Sequence, residues 1–150
     1  MFDRMLIQPG SFRNESIGHE IIGFQVTVRM ANYRGNFLSL HNGYFIEVDG
    51  IEYPRSLQTF EINGKPPRSF DELKTAIWEH WDYDDDAILH VAKPGGLAPG
   101  EHTIRFQQSI LNAYGYMPTD EAWVLNPPTP GTNAGSDKTP LIVTFEMDVN

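Results

Sequence analysis

From Leu141 to Val149 every second residue is apolar. Leu141, Val143, Phe145, Met147 and Val149 alternate with Ile142, Thr144, Glu146 and Asp148, and a period of two puts alternate side chains on opposite faces of an extended strand. The same period runs through Phe24, Val26, Val28 and Met30, with Gln25, Thr27 and Arg29 between them, and predicts a strand over Ile22 to Met30. Shorter apolar runs predict strands at Phe37 to Leu40, Tyr44 to Val48, Ile51 to Tyr53, Leu57 to Ile62, Ala87 to Ala92 and Thr103 to Gln107. From Ser69 to Trp81 the spacing lengthens instead. Phe70, Leu73, Ile77, Trp78 and Trp81 fall at helical intervals, and Ser69 with Glu72 matches the S-x-x-E capping box of a helix start. About eight short strands, one short helix and no alternation of strand with helix predict an all-β chain, an antiparallel β-sandwich or jelly-roll-like fold.

The breaks between these runs carry turn chemistry. Asp49-Gly50 separates Val48 from Ile51 by two residues, the pair that suits the two left-handed positions of a type I′ hairpin. Asn63-Gly64 reads as a second turn, but Lys65-Pro66-Pro67 predicts a loop rather than an immediate return strand, because proline cannot donate to a ladder. "KPGGLAPGEH", Lys93 to His102, precedes no helix and so offers no helix N-terminus to a phosphate. It reads as the bend between the strand ending near Ala92 and the strand starting near Thr103, with Leu97 folded back as an apolar plug. Met117 to Pro140 holds five prolines, two glycines and one apolar island, Trp123 to Leu125, and reads as a long loop at about 117–140.

Length and charge narrow the functional classes. A chain of 150 residues fits one domain, 1–150, able to bury its own core. Eleven basic against twenty acidic residues give a formal charge of −9, which repels nucleic acid and anionic membrane surfaces. There is no cysteine, no apolar stretch near membrane-spanning length and no signal-peptide pattern at the start, so the expected setting is the cytoplasm.

Candidate chemistry is sparse. The acidic run at Asp82, Asp84, Asp85 and Asp86 begins like a calcium loop, then places Ala87 where the turn needs glycine and Lys93 where a bidentate glutamate belongs. No two of His19, His41, His80, His90 and His102 stand at H-x-H or H-x-x-x-H spacing. His80 and Asp82 either flank a site or form a surface pair, and His90 reads as a buried or half-buried histidine with a backbone partner. The G-x-S-x-G nucleophile motif is missing, "GTNAGSDKT" lacks the order of a P-loop, and nothing singles out a carboxylate pair among twenty acids. No catalytic and no metal-ligating residue is therefore assigned in this chain. Two aromatic clusters, "NYRGNFLSLHNGYF" from Asn32 and "NAYGYM" from Asn112, either form recognition surfaces or close the ends of a sandwich core.

The order and spacing of four stretches point to a family. "GSFRN" (Gly10 to Asn14), "GFQVTVRMANYRGNFLSL" (Gly23 to Leu40), "VDG" (Val48 to Gly50) and "KPGGLAPGEH" make the chain resemble, over roughly residues 1 to 117, the small β subunit of bacterial C-glycoside deglycosidases. The resemblance implies a non-catalytic β-sandwich subunit paired with a TIM-barrel α subunit that holds a divalent metal, usually manganese, and this chain itself binding no cofactor. The pair acts on 3-oxo C-glycosides, flavonoid C-glucosides among them. The metal polarises the 3-keto group, a base of the α subunit takes the C2 proton, and the aglycone leaves C1 as a protonated aryl carbon. The substrate then lies at or near the interface. The candidates for partner contact or a substrate loop are Tyr33, Arg34, His41, Tyr114, Tyr116 and Trp123. The competing expectation is a stand-alone carbohydrate-binding β-sandwich module; a cupin-like metal enzyme lacks the clustered histidines it needs.

Overall fold

The computed structural model of the protein describes residues 7–8, 10–29, 36–76, 78–81, 85–110 and 143–149. Its strands are β1 (Arg13–Ile17), β2 (Glu20–Val28), β3 (Asn36–Phe37), β4 (His41–Val48), β5 (Ile51–Glu52), β6 (Gln58–Glu61), β7 (His80–Trp81), β8 (Ala87–Ala92), β9 (Gly100–Ile110) and β10 (Val143–Val149), with one helix, α1 (Phe70–Leu73). They form one sheet in the order β1-β2-β8-β6, a second in the order β10-β9-β4-β5, and a two-stranded ribbon β3-β7. All the pairings are antiparallel. Phe24, Val26, Phe60, Leu89 and Val91 of the first sheet and Tyr44, Ile46, Ile104 and Phe106 of the second are buried in one hydrophobic cluster, so the two sheets pack face to face as a sandwich. No helix among the described residues is long and apolar enough to cross a membrane.

The period-2 reading places most strands, with corrections where another force prevails. Leu38 to Leu40, expected as strand, forms a 3-10 turn, and Leu57 belongs to a second such turn, Arg55–Leu57. The strand expected at Thr103 to Gln107 is the middle of the longer β9. The capping box at Ser69 is present, its hydroxyl accepting from the Glu72 amide and the Glu72 carboxylate accepting from the Ser69 amide. The helix it starts ends at Leu73, far short of Trp81. Thr75 Oγ1 donates to the Glu72 carbonyl, tight turns follow, and Trp81 pairs with Asn36 in the ribbon, where its ring is fully buried. Lys65 to Pro67 form the expected loop, after which the chain touches β6 through the single bridge between Phe60 and Arg68. Asp49 and Gly50 take φ of 51° and 86°, the left-handed pair that the hairpin between β4 and β5 requires.

A bulge in β4 decides one core position. Gly43, at φ 106°, opens an irregularity in which His41 pairs with Ile110 and Gly43 with Ser109, one extra residue on β4. Tyr44, Ile46 and Val48 face the core, so without that residue His41 faces the opposite side; with it, His41 turns inward. Its ring sits in an aromatic box with centroids 4.9 Å from Tyr44, 4.8 Å from Phe60, 5.0 Å from Phe70 and 5.3 Å from Trp81. Neither ring nitrogen has a hydrogen-bond partner among the described residues. Burial, helped by the nearby Arg55 charge, pushes the imidazole down from 6.5 to about 3.

Between the sheets lies one buried amide. Gln58, on β6 of the first sheet, accepts from the Tyr44 amide at 3.1 Å and donates to the Tyr44 carbonyl at 2.8 Å and the Tyr53 carbonyl at 3.1 Å. Its side chain joins the sheets and satisfies the Tyr44 backbone groups on the edge of β4 beyond the end of β5.

Two outcomes follow. Gln58→Met keeps the volume but strands three buried backbone groups, and is expected to lower stability by about 3 kcal/mol, read as a lower urea midpoint at unchanged m. His41 makes the fold acid-sensitive: the unfolded chain takes up its proton below pH 6.5 while the folded chain stays neutral down to about 3, so stability falls as pH drops through that window. His41→Leu is expected to remove about 1.4 kcal/mol per pH unit of that slope, measured by unfolding at a series of pH values.

Candidate functional site

The bend at Lys93 to Pro99 crosses from β8 of the first sheet to β9 of the second, so it joins the two layers and is no hairpin. It is held by the "GSFRN" stretch from the far end of the chain. Asn14 Nδ2 donates to the Leu97 carbonyl and the Leu97 amide donates to Asn14 Oδ1, both at 2.8 Å, so one side-chain amide stands in for a strand partner. Gly96, at φ 64°, fits there because a Cβ would lie 2.5 Å from Asn14 Oδ1 and 2.6 Å from Ile21. Leu97 then packs partly buried against the core, the plug expected of it. Phe12, in the same stretch, is fully buried edge-on to Phe24 at 5.5 Å.

A second clasp closes the bend. His102 Nδ1 faces Asp49 Oδ2 at 2.5 Å and His102 Nε2 faces the Ala98 carbonyl at 2.6 Å. Both partners are acceptors, so both contacts are made at once only by the protonated ring. The Ala98 carbonyl, with the Asp49 carboxylate, raises the His102 imidazole above its ordinary value. The Thr103 amide and then the His102 ring hold the Asp49 carboxyl below its own. The hairpin turn, the crossover and the start of β9 thus meet at one ion pair.

The outer face of the first sheet carries a polar row at one level of the register, where Arg13 pairs with Gln25, Gln25 with His90, and His90 with Thr59. Gln25, in the amide orientation that satisfies both groups, accepts from Arg13 Nη2 at 3.0 Å and Nε at 3.1 Å. His90 Nδ1 contacts Glu15 Oε1 at 2.5 Å and Nε2 contacts Glu61 Oε1 at 2.7 Å. Its partners are therefore two carboxylates rather than the backbone group expected. Beside this row is a shallow notch of about 230 Å³ with Glu15, Gly23, Leu57 and His90 among its lining.

Among the six residues singled out in the sequence, Tyr33, Arg34, Tyr114, Tyr116 and Trp123 lie outside the described residues. His41 is corrected: at 1% exposure inside the aromatic box it presents no surface to a partner, because the bulge turns it inward. In the acidic run, Asp82 and Asp84 lie outside the described residues, Asp86 accepts from Arg29 Nε at 2.6 Å, and the Asp85 carbonyl accepts from the Trp81 indole. Among the described residues no three histidine or acidic side chains converge as a metal-ligand set. Asn14, Gln58 and the His102–Asp49 pair were not singled out, since their partners stand far away in the chain.

Residues 2–114 match the family model described as C-glycoside deglycosidase beta subunit. The C-glycoside deglycosidase beta subunit of Eubacterium cellulosolvens is 34% identical over 113 residues, covering 75% of this chain and 76% of that protein.

The His102–Asp49 clasp has a defined pH window. Asp49, depressed, contributes fully above its ordinary 3.8 and loses that contribution as pH falls through its folded value. His102, raised, contributes fully below its ordinary 6.5 and loses that contribution as pH rises through its folded value. The stability difference between wild type and Asp49→Asn is thus expected to be largest between those two values. An NMR titration checks the pair directly: the His102 midpoint lies above 6.5 in wild type and moves down in Asp49→Asn.

Proposed function

Because the chain belongs to the family of C-glycoside deglycosidase beta subunits, we propose that it is the non-catalytic half of a two-subunit lyase that cleaves the sugar–aglycone carbon–carbon bond of 3-oxo C-glycosides. A beta subunit implies a partner subunit, and in this reading the partner is a TIM-barrel α subunit that supplies the catalytic base. The match over residues 2–114 carries the proposal. In this reading the divalent metal, manganese by preference, belongs to the partner, as the family resemblance implies.

What this chain contributes is shape. The motifs shared with the family stretch over elements that hold one another: Asn14 grips Leu97, Asp49 grips His102, and Phe12 fills the core beneath them. A surface fixed by such contacts can hold a partner's active-site loops in one geometry, which is how a chain without its own nucleophile or base raises a partner's rate.

Co-expression tests the proposal. The purified chain alone is expected to leave 3-oxo C-glucosides intact, and the chain with its α subunit to release the aglycone in a reaction abolished by a chelator and restored by manganese. Full activity of the single chain, or undiminished activity of the α subunit without it, overturns the reading.

A further inference from the structure

We infer that the crossover between the two sheets is a pH switch: when the His102 ring loses its proton, Ala98 and Pro99 swing away from it, while Leu97 on one side and β9 on the other stay in place. The device is internal to this chain and independent of the two-subunit reading above.

The ring is held between two acceptors. His102 Nδ1 stands 2.5 Å from Asp49 Oδ2 and Nε2 stands 2.6 Å from the Ala98 carbonyl oxygen. A carboxylate and a carbonyl bring only lone pairs, whereas a neutral imidazole has a single N–H, so one contact fails on deprotonation. Asp49 keeps the proton that remains, because a hydrogen bond to a carboxylate is the stronger. That carboxylate is also fixed independently, its other oxygen accepting from the Thr103 amide at 2.9 Å. Nε2 then turns a lone pair on the Ala98 oxygen at hydrogen-bond distance, and two acceptors that close repel each other.

The chain around Ala98 confines the response. Asn14 holds Leu97 by both its amide and its carbonyl at 2.8 Å, and the Leu97 side chain packs on the core. On the other side β10 holds β9, with Asp148 opposite Glu101 and Met147 opposite His102. Between these anchors Ala98 and Pro99 are exposed, so no packing resists their movement. Gly100, at φ 113°, supplies a hinge in a region that only glycine enters freely. Among the described residues the charges acting on the ring are Asp49, from the β4–β5 turn, and Asp148, from β10, while Phe12 meets it edge-on with centroids 6.1 Å apart. The Ala98 carbonyl first, then those carboxylates, lift the imidazole above its ordinary 6.5 against its partial burial. The clasp is therefore complete below the folded value and is released as pH rises through it.

Amide relaxation by NMR on the full chain, followed across the His102 titration, tests the switch. The order parameter of the Gly100 amide is expected to be about 0.85 below the His102 midpoint and to fall below about 0.6 above it, with the Leu97 amide staying at about 0.85 throughout. Asp49→Asn replaces the acceptor facing Nδ1 by an amide that can donate to it, so the neutral ring can keep its N–H on Ala98. In that variant the Gly100 amide is expected to stay ordered at every pH, although the ring still titrates. His102→Phe has no donor for Ala98 and is expected to leave the Gly100 amide loose at every pH. A wild-type Gly100 amide that keeps its order above the midpoint overturns the proposal, as does one that loosens equally in Asp49→Asn or stays ordered in His102→Phe. A Leu97 amide that loosens as far as Gly100 overturns the fixed point at Asn14 and the switch with it.

Discussion

The two layers of this protein depend on the side-chain amide of Gln58. A sheet satisfies its backbone through its neighbours, but β5 pairs only with Glu47 and Val48 of β4, and buried Tyr44 lies past its end, where water cannot substitute. Gln58 reaches from the opposite sheet and supplies both a donor and an acceptor to Tyr44, then a second donor to Tyr53. The same strand carries the bulge at Gly43. The bulge in turn rotates His41 into the aromatic box that fills this end of the core. Asn14 repeats the device near the surface, holding the crossover by the amide and carbonyl of Leu97. Two carboxamides, each imitating a peptide group, do what extra strand length does in a simpler sandwich.

How much of this could be read in advance follows from which forces are local. β8 is legible to the residue because Ala87, Leu89 and Val91 face the core while Ile88 and His90 face out, a pattern set entirely by burial on one side. The type I′ turn at Asp49 is equally local, a matter of two φ angles. β1 was not legible: Arg13 to Ile17 is an edge strand whose side chains stay largely exposed, so it carries no alternation. β7 was hidden inside an apparent helix because Phe70, Leu73 and Trp81 are all buried for reasons of tertiary packing, and their spacing mimics a helical face. The capping box was right about where the helix begins and silent about where it stops.

The site follows the same division. The sequence placed Leu97 against the core correctly, since an apolar residue among glycines and prolines has few other uses. It placed His41 wrongly because one inserted residue reverses every side chain before it, and the Asn42-Gly43 pair that signals the bulge also suits an ordinary turn. The partnership of Asn14 with Leu97 spans 83 residues and has no local signature at all. The stretches that carry the family resemblance nonetheless touch one another in space, Asn14 on Leu97 and Asp49 on His102.

β10 has a consequence in time. It pairs with β9 from Gly100 to Phe106, yet it lies beyond the residues 2–114 that match the family model and follows β1 to β9 in the chain. During synthesis the outer edge of β9 therefore stays open, its amides and carbonyls unpaired on that side, until Val143–Val149 has left the ribosome. An open edge of that length is a template for any other extended chain nearby. A ribosome that stalls before Val143 holds a sandwich with one adhesive side, and the quality of the product is decided by the codons of β10.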